Sequence, residues 1–145
     1  MERQVFQGTE DALTERIIEV FYEVYNELGY GFVESVYARA MAIALDQRGL
    51  EAASEAIVPV SFRGQSIGSF RADLVVEQKV VLEFKIADQI IKAYEAQLTH
   101  YLRASRYEVG MILSFGESPR MRRIQFLNER KRKFRGSVLI PSLSV

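Results

Sequence analysis

The sequence predicts an α/β (α+β) domain, a mixed central β-sheet flanked by helices in the order α-α-β-β-β-α-β-β. Three observations predict it. Apolar residues recur at three- and four-residue spacing over residues 9–45, the period changes to two after Gly49, and a further helical stretch separates that region from an apolar run at 108–115. With 145 residues and 48% hydrophobic composition, the chain has the length and apolar content of one folded domain.

Leu13, Ile17, Val20, Phe21, Val24 and Leu28 place one apolar stripe on a first helix over 9–28, which Gly29 ends. Gly31 opens a second helix, whose stripe is Val33, Val36, Tyr37, Ala40, Met41, Ala44 and Leu45, with Gly49 just beyond its end. Alternation then predicts strands at 57–62, 66–76 and 80–86, joined by turns at Arg63-Gly64-Gln65 and at 77–79, an antiparallel meander. A helix over 87–103 turns Ile90, Ile91, Tyr94, Leu98, Tyr101 and Leu102 inward. Residues 108–115 read as a strand buried on both faces, and 121–126 as a last strand.

Composition narrows the chemistry. The chain has no cysteine and one histidine, His100. Disulfides, zinc–thiolate sites, thiol nucleophiles and multi-histidine metal sites are excluded, and a serine–histidine triad is disfavoured. No apolar run approaches the ~20 residues of a membrane helix, and the N-terminus lacks a signal-peptide pattern, so a soluble cytoplasmic protein is expected. The zero net charge divides unevenly: residues 1–117 carry 11 basic and 18 acidic side chains, whereas residues 118–145 carry 8 basic and one acidic. A basic C-terminal segment is suited to phosphate contacts, although such a run is more often a solvated surface strip.

The densest chemistry lies at 66–86. A turn centred on Gln78 sets an antiparallel register of Val76 with Val80, Val75 with Val81, Asp73 with Glu83 and Arg71 with Lys85. Ala72, Leu74, Val76, Val80, Leu82, Phe84 and Ile86 then share an apolar, core-facing side. Arg71, Asp73, Glu83 and Lys85 share the other with Val75 and Val81. Directly opposed carboxylates have β-carbons ~4.5–5.5 Å apart and repel. A shared proton or a divalent cation relieves that repulsion, and a hard cation such as Mg²⁺ takes one or two carboxylates plus water and phosphate. The plain alternative is a charged hairpin face with Arg71–Asp73 and Glu83–Lys85 pairs.

Asp73, nine residues, then Glu83-Phe84-Lys85 resembles the PD-(D/E)XK nuclease superfamily, with Ala72 where that superfamily's proline stands. Two more segments extend the likeness. Gly31-Phe32-Val33-Glu34-Ser35-Val36-Tyr37 resembles the GxxExxY signature of one prokaryotic branch, and Gln97-Leu98-Thr99-His100-Tyr101 its QxxxY element. The chain is thereby identified as a GxxExxY protein, which implies a restriction-endonuclease-like core over residues 1–127 with a basic, then apolar extension at 128–145.

The resemblance implies a Mg²⁺- or Mn²⁺-dependent nuclease hydrolysing phosphodiester bonds, DNA before RNA. Asp73, Glu83, the Phe84 carbonyl and Glu34 would hold the metal. Lys85 would orient or deprotonate water and stabilise developing charge, and Gln97 and Tyr101 would border the site. Tyr37, at helical spacing with Val33 and Met41, reads as core, and His100 as a surface residue. Arg120, Arg122, Arg123, Arg130, Lys131, Arg132, Lys133 and Arg135 are candidate phosphate contacts. The rival readings are a catalytically silent binding module on the same fold and a subunit whose VLIPSL segment contacts a partner or a second copy.

Overall fold

Nine elements follow one another in the computed structural model, which describes residues 8–134: α1 (Asp11–Leu28), α2 (Glu34–Gln47), β1 (Ala52–Phe62), β2 (Gln65–Val76), β3 (Val80–Lys85), α3 (Lys92–Arg103), β4 (Val109–Phe115), β5 (Pro119–Gln125) and α4 (Asn128–Phe134). The strands lie in the order β1-β2-β3-β4-β5. β1 to β3 form the antiparallel meander, β4 runs parallel to β3, and β5 returns antiparallel to β4. A parallel neighbour needs a crossover of about a dozen residues or more, and α3 with its entry loop supplies it. The result is a mixed sheet flanked by helices, the predicted fold class.

Each face of the sheet is covered. Ile17, Val20, Phe21 and Val24 of α1 and Tyr37, Met41 and Leu45 of α2 pack on Leu74, Val76, Val80, Leu82, Phe84, Met111, Leu113 and Phe115. Leu98 and Leu102 of α3 pack on Val75, Val81 and Ile112 opposite. Gly110 lets α3 approach, because a β-carbon there would stand 2.9 Å from Leu98 Cδ1. All seven residues of β4 are buried, which is why its sequence is a continuous apolar run rather than an alternation. No helix among the described residues is long and apolar enough to cross a membrane.

Several boundaries differ from the sequence expectation. The second helix begins at Glu34 rather than at Gly31, since Gly29 (φ 69) and Gly31 (φ 116) hold left-handed conformations incompatible with a helix. The third helix begins at Lys92 rather than at residue 87. The Ala87 N–H donates to Ser114 Oγ (3.1 Å), and the Ser114 hydroxyl donates back to the Ala87 carbonyl (2.6 Å). Asp88 meanwhile accepts the Glu117 N–H on its carboxylate and the Arg120 Nε on its carbonyl. With these groups committed to the β4–β5 turn, 86–91 cannot close helical hydrogen bonds, and Ile86 and Ile91, expected inside, are 44% and 49% exposed.

The basic extension at 128–145, whose charges read as a surface strip, begins instead with the docked helix α4. The Asn128 N–H donates to Glu108 Oε2 (2.8 Å), and Lys131 is fully buried. Lys131 Nζ donates to the Ser105 carbonyl (2.8 Å), the Tyr107 carbonyl (2.6 Å) and Asn128 Oδ1 (2.7 Å). It is a structural tie between α4 and the loop that follows α3, not a phosphate contact. The Arg132 and Lys133 side chains, Arg135 and the VLIPSL segment lie outside the described residues.

Replacing Lys131 with Met should therefore lower stability by about 2–4 kcal/mol, because the buried Ser105 and part-buried Tyr107 carbonyls lose this donor. Urea unfolding followed by circular dichroism checks this. Stability equal to that of the unmodified chain would show that the tie contributes nothing.

Candidate active site

The site forms where β2 and β3 part. Their ladder pairs Val76 with Val80, Val75 with Val81 and Leu74 with Leu82, the register expected from the turn, and then stops. The two further pairs expected from that register, Asp73–Glu83 and Arg71–Lys85, are not ladder pairs. β2 keeps its pairing with β1 instead, where Glu55 (φ 51), between the pairs Ser54↔Leu74 and Ala56↔Ala72, breaks the extended conformation. Across this point the ribbon turns over. Leu74 and Val76 face α1 and α2, whereas Ala72 and Phe70 join the cluster under α3. Ala72 thus leaves the side expected for it, because a left-handed residue in one strand locally increases twist.

Asp73 replaces the missing ladder bond. Its Oδ2 accepts the Phe84 N–H at 2.7 Å. The carboxylate therefore lies against the backbone between Glu83 and Lys85, which pair on their other side with Ile112 and Ser114 of β4. Burial raises the Asp73 pKa, opposed by the Phe84 N–H and the Lys85 charge. Glu83 is pushed up to about 8, first by burial and then by the charge of Asp73, with Lys85 opposing. Burial and Asp73 also raise Glu34, on the first turn of α2, and Lys85 opposes them. The Phe84 N–H favours the charged form of Asp73, whereas no hydrogen bond does so for Glu83, and burial raises both groups.

One atom stands out. Glu83 Oε1 is buried and has no hydrogen-bond partner among the described residues. An unpaired carboxylate oxygen beside a second carboxylate is a fit for a hard divalent cation, as are the oxygen-only donors Asp73, Glu83, Glu34 and the Phe84 carbonyl. Among the described residues no group of three or more acidic or histidine side chains lies close enough together to hold a metal ion by itself. Oxygen donors of this kind suit a hard divalent cation that completes its shell with water.

The other sequence candidates divide. Tyr37 is core: its ring stacks on Phe115 (4.1 Å between centroids), its hydroxyl donates to the Gly29 carbonyl (2.6 Å), and it accepts the Phe32 N–H (3.3 Å). It thereby fixes the loop that delivers Glu34. Gln97 is exposed on α3, one turn after Tyr94, and His100 is exposed. Tyr101 stacks on Phe70 at 3.7 Å, about 10 Å further along the helix axis than Tyr94.

Among the basic candidates, Arg120, Arg122 and Arg130 are exposed. Arg122 pairs with Glu95 (3.2 Å), and Arg130 lies over the Phe126 ring (5.1 Å). Arg123 is a correction: its side chain is 8% exposed and bonds Asp11, Thr14, Gln125 and the Thr9 carbonyl, so it pins α1 to β5 and does not face phosphate. Burial lowers its pKa from the ordinary arginine value.

Sequence reasoning passed over two contacts. Lys85 Nζ lies 4.6 Å from the centre of the Tyr94 ring, and Ser114 clamps Ala87, two residues beyond Lys85. Ser114 carried a signal, as the one hydroxyl in an otherwise apolar buried strand. Tyr94 carried none, since its helical spacing is that of a core residue.

A mixed sheet with an aspartate on one diverging strand and Glu-x-Lys on the next defines a nuclease-type core. A sequence model of the PD-(D/E)XK nuclease superfamily matches residues 11–125, and the chain belongs to that superfamily. No curated protein matches it. Among solved structures the chain is similar to SSO0001, with TM-score 0.52 and 19% identity over 83% of this chain, and it spans 61% of that protein's length. It is also similar to the alkaline exonuclease LHK-Exo from Laribacter hongkongensis, with TM-score 0.50 and 9% identity over 89% of this chain and 77% of the other. At these identities the likeness is one of fold.

The raised pKa of Glu83 has a thermodynamic consequence. Its pKa is about 8 when folded and near the ordinary 4.5 when unfolded, so between these values the folded chain holds a proton that the unfolded chain has released. The contribution of Glu83 to the stability of the metal-free protein should be full below about pH 4.5 and be lost as pH rises through about 8, and Glu83→Gln should make the decline shallower. Melting temperatures from pH 5 to 9 in chelator check this. Parallel profiles for the two proteins would count against it.

Proposed function

We propose that the chain is a Mg²⁺- or Mn²⁺-dependent nuclease that hydrolyses phosphodiester bonds, with DNA as the first substrate to test. The observation that carries this reading is the buried, unpartnered Glu83 Oε1 beside Asp73 and Lys85 at the parting of β2 and β3. Membership in a nuclease superfamily supports it. Asp73, Glu83, Glu34 and the Phe84 carbonyl would hold the cation. Bound there, the cation supplies Lewis-acid activation of phosphoryl oxygen and water.

The chain's own residues do the rest. Asp73, locked by the Phe84 N–H, is a pre-oriented donor that needs no rearrangement to bind. Lys85 orients the attacking water and neutralises negative charge as phosphorus accepts the new P–O bond and the leaving oxygen departs. Gln97 and Tyr101 border the substrate. The exposed Arg120, Arg122 and Arg130 provide phosphate contacts without base specificity, and the exposed Arg122–Glu95 pair is weak enough to open for a phosphate.

Cleavage of labelled single- and double-stranded DNA and RNA should require Mg²⁺ or Mn²⁺. Lys85→Ala and Asp73→Asn should each lower kcat by about 10²-fold or more. Activity that survives in both variants, or in chelator, overturns the reading, and Mn²⁺ binding without turnover on any substrate supports the silent binding module instead. Nucleic-acid affinity should fall steeply with salt, and Arg122→Gln with Arg130→Gln should flatten the log–log slope by about one unit each. An unchanged slope in the double variant would remove this surface from the interface.

A further inference from the structure

We propose that Tyr94 is a positioning residue for Lys85, its ring holding the ammonium away from Glu83 so that the carboxylate stays open to a cation and the ammonium to an anionic oxygen. The proposal rests on the metal reading above and deepens it. Among the described residues Lys85 forms no ion pair within 4.0 Å, although Glu34, Asp73 and Glu83 all feel its charge. Its recorded partner is the Tyr94 ring, with Nζ 4.6 Å from the centroid, the distance of a cation–π contact.

The competing partner is close by. Glu83 lies two residues away on the same side of β3, about 7 Å along the strand, within reach of a lysine's four-carbon stem. Its Oε1 is buried and unpartnered, so an ammonium freed from the ring would find a vacant acceptor there. That acceptor is the atom best fitted to the cation, and an internal Lys85–Glu83 pair would compete with metal for it.

Both ends of the ring contact are held. Lys85 is in ladder register with Ser114, and the same Ser114 hydroxyl ties Ala87, fixing the loop that leads into α3. Tyr94 lies in the first turn of that helix, where its N–H donates to the Ile91 carbonyl (3.0 Å), and its half-buried ring packs against the cluster under α3. One serine thus sets the spacing between strand and helix at which ring and ammonium meet.

The test measures Mn²⁺ binding by calorimetry on the full chain, without substrate. Tyr94→Leu should weaken Mn²⁺ binding by about three- to tenfold, the size of one cation–π contact, whereas Tyr94→Phe, which keeps the ring, should retain the affinity. In a Lys85→Met background, Tyr94→Leu should have no further effect, because no ammonium remains to compete. Equal weakening with and without Lys85 overturns the proposal in favour of a packing role, and so does unchanged affinity in Tyr94→Leu. A second readout needs no metal: the Lys85 ε-methylene protons should show an upfield ring-current shift in the unmodified chain and in Tyr94→Phe, lost in Tyr94→Leu. Absence of that shift in the unmodified chain overturns the proposal. Failure of Mn²⁺ to bind while the shift persists overturns the metal reading instead.

Discussion

Where β2 leaves β3, a side chain takes over from the backbone: the Asp73 carboxylate accepts the Phe84 N–H that the ladder would otherwise have bonded. A buried N–H left without an acceptor would cost about 1–3 kcal/mol, so the strands can part here because an aspartate stands at the fork. The same bond orients Asp73 toward the backbone between Glu83 and Lys85. Opening of the sheet and placement of the acidic pair are therefore one event. At that opening stand the buried Glu83, whose pKa is raised, and Lys85, resting on Tyr94.

The covering helices serve the fork in different ways. α1 and α2 bring the aromatic rings of Phe21, Tyr25 and Tyr37 around Phe115, a packed group that makes the floor beneath β3 and β4 rigid. Tyr37 spends its hydroxyl on the 29–33 loop, so the helix start carrying Glu34 is held by the core rather than by the site. α3 caps the opposite face with Tyr94, Leu98, Tyr101 and Leu102 and turns a polar side outward.

Much of this was legible in the sequence, and the reasons are local. A period of two on both sides of a tight turn dictates the register from Val76–Val80 to Leu74–Leu82, and the apolar stripes of α1 and α2 dictate which faces meet the sheet. What was illegible depends on partners distant in the chain. Glu55 gives no sign, as a glutamate in a strand, that it will adopt φ 51 opposite Asp73. The start of α3 is set by Ser114, 27 residues after Ala87. Lys131 and Arg123 look like surface charges because their type says so, and only the carbonyls and carboxylates folded against them reveal otherwise. Counting basic residues thus overstates the positive surface this segment presents.

The irregularity at Glu55 also bears on how the chain survives at high concentration. β1 is an edge strand whose ribbon exposes Ile57, Phe62 and Ile67, a composition that invites another chain to add a strand and begin aggregation. The edge is spoiled at three places: the left-handed Glu55, Pro59, which has no N–H to offer, and the register shift between Val60 and Ser61. The turn-over that swings Ala72 and Phe70 beneath α3 is one of those interruptions. A single departure from regular strand geometry both turns β2 toward α3 and denies a neighbour a straight template to copy.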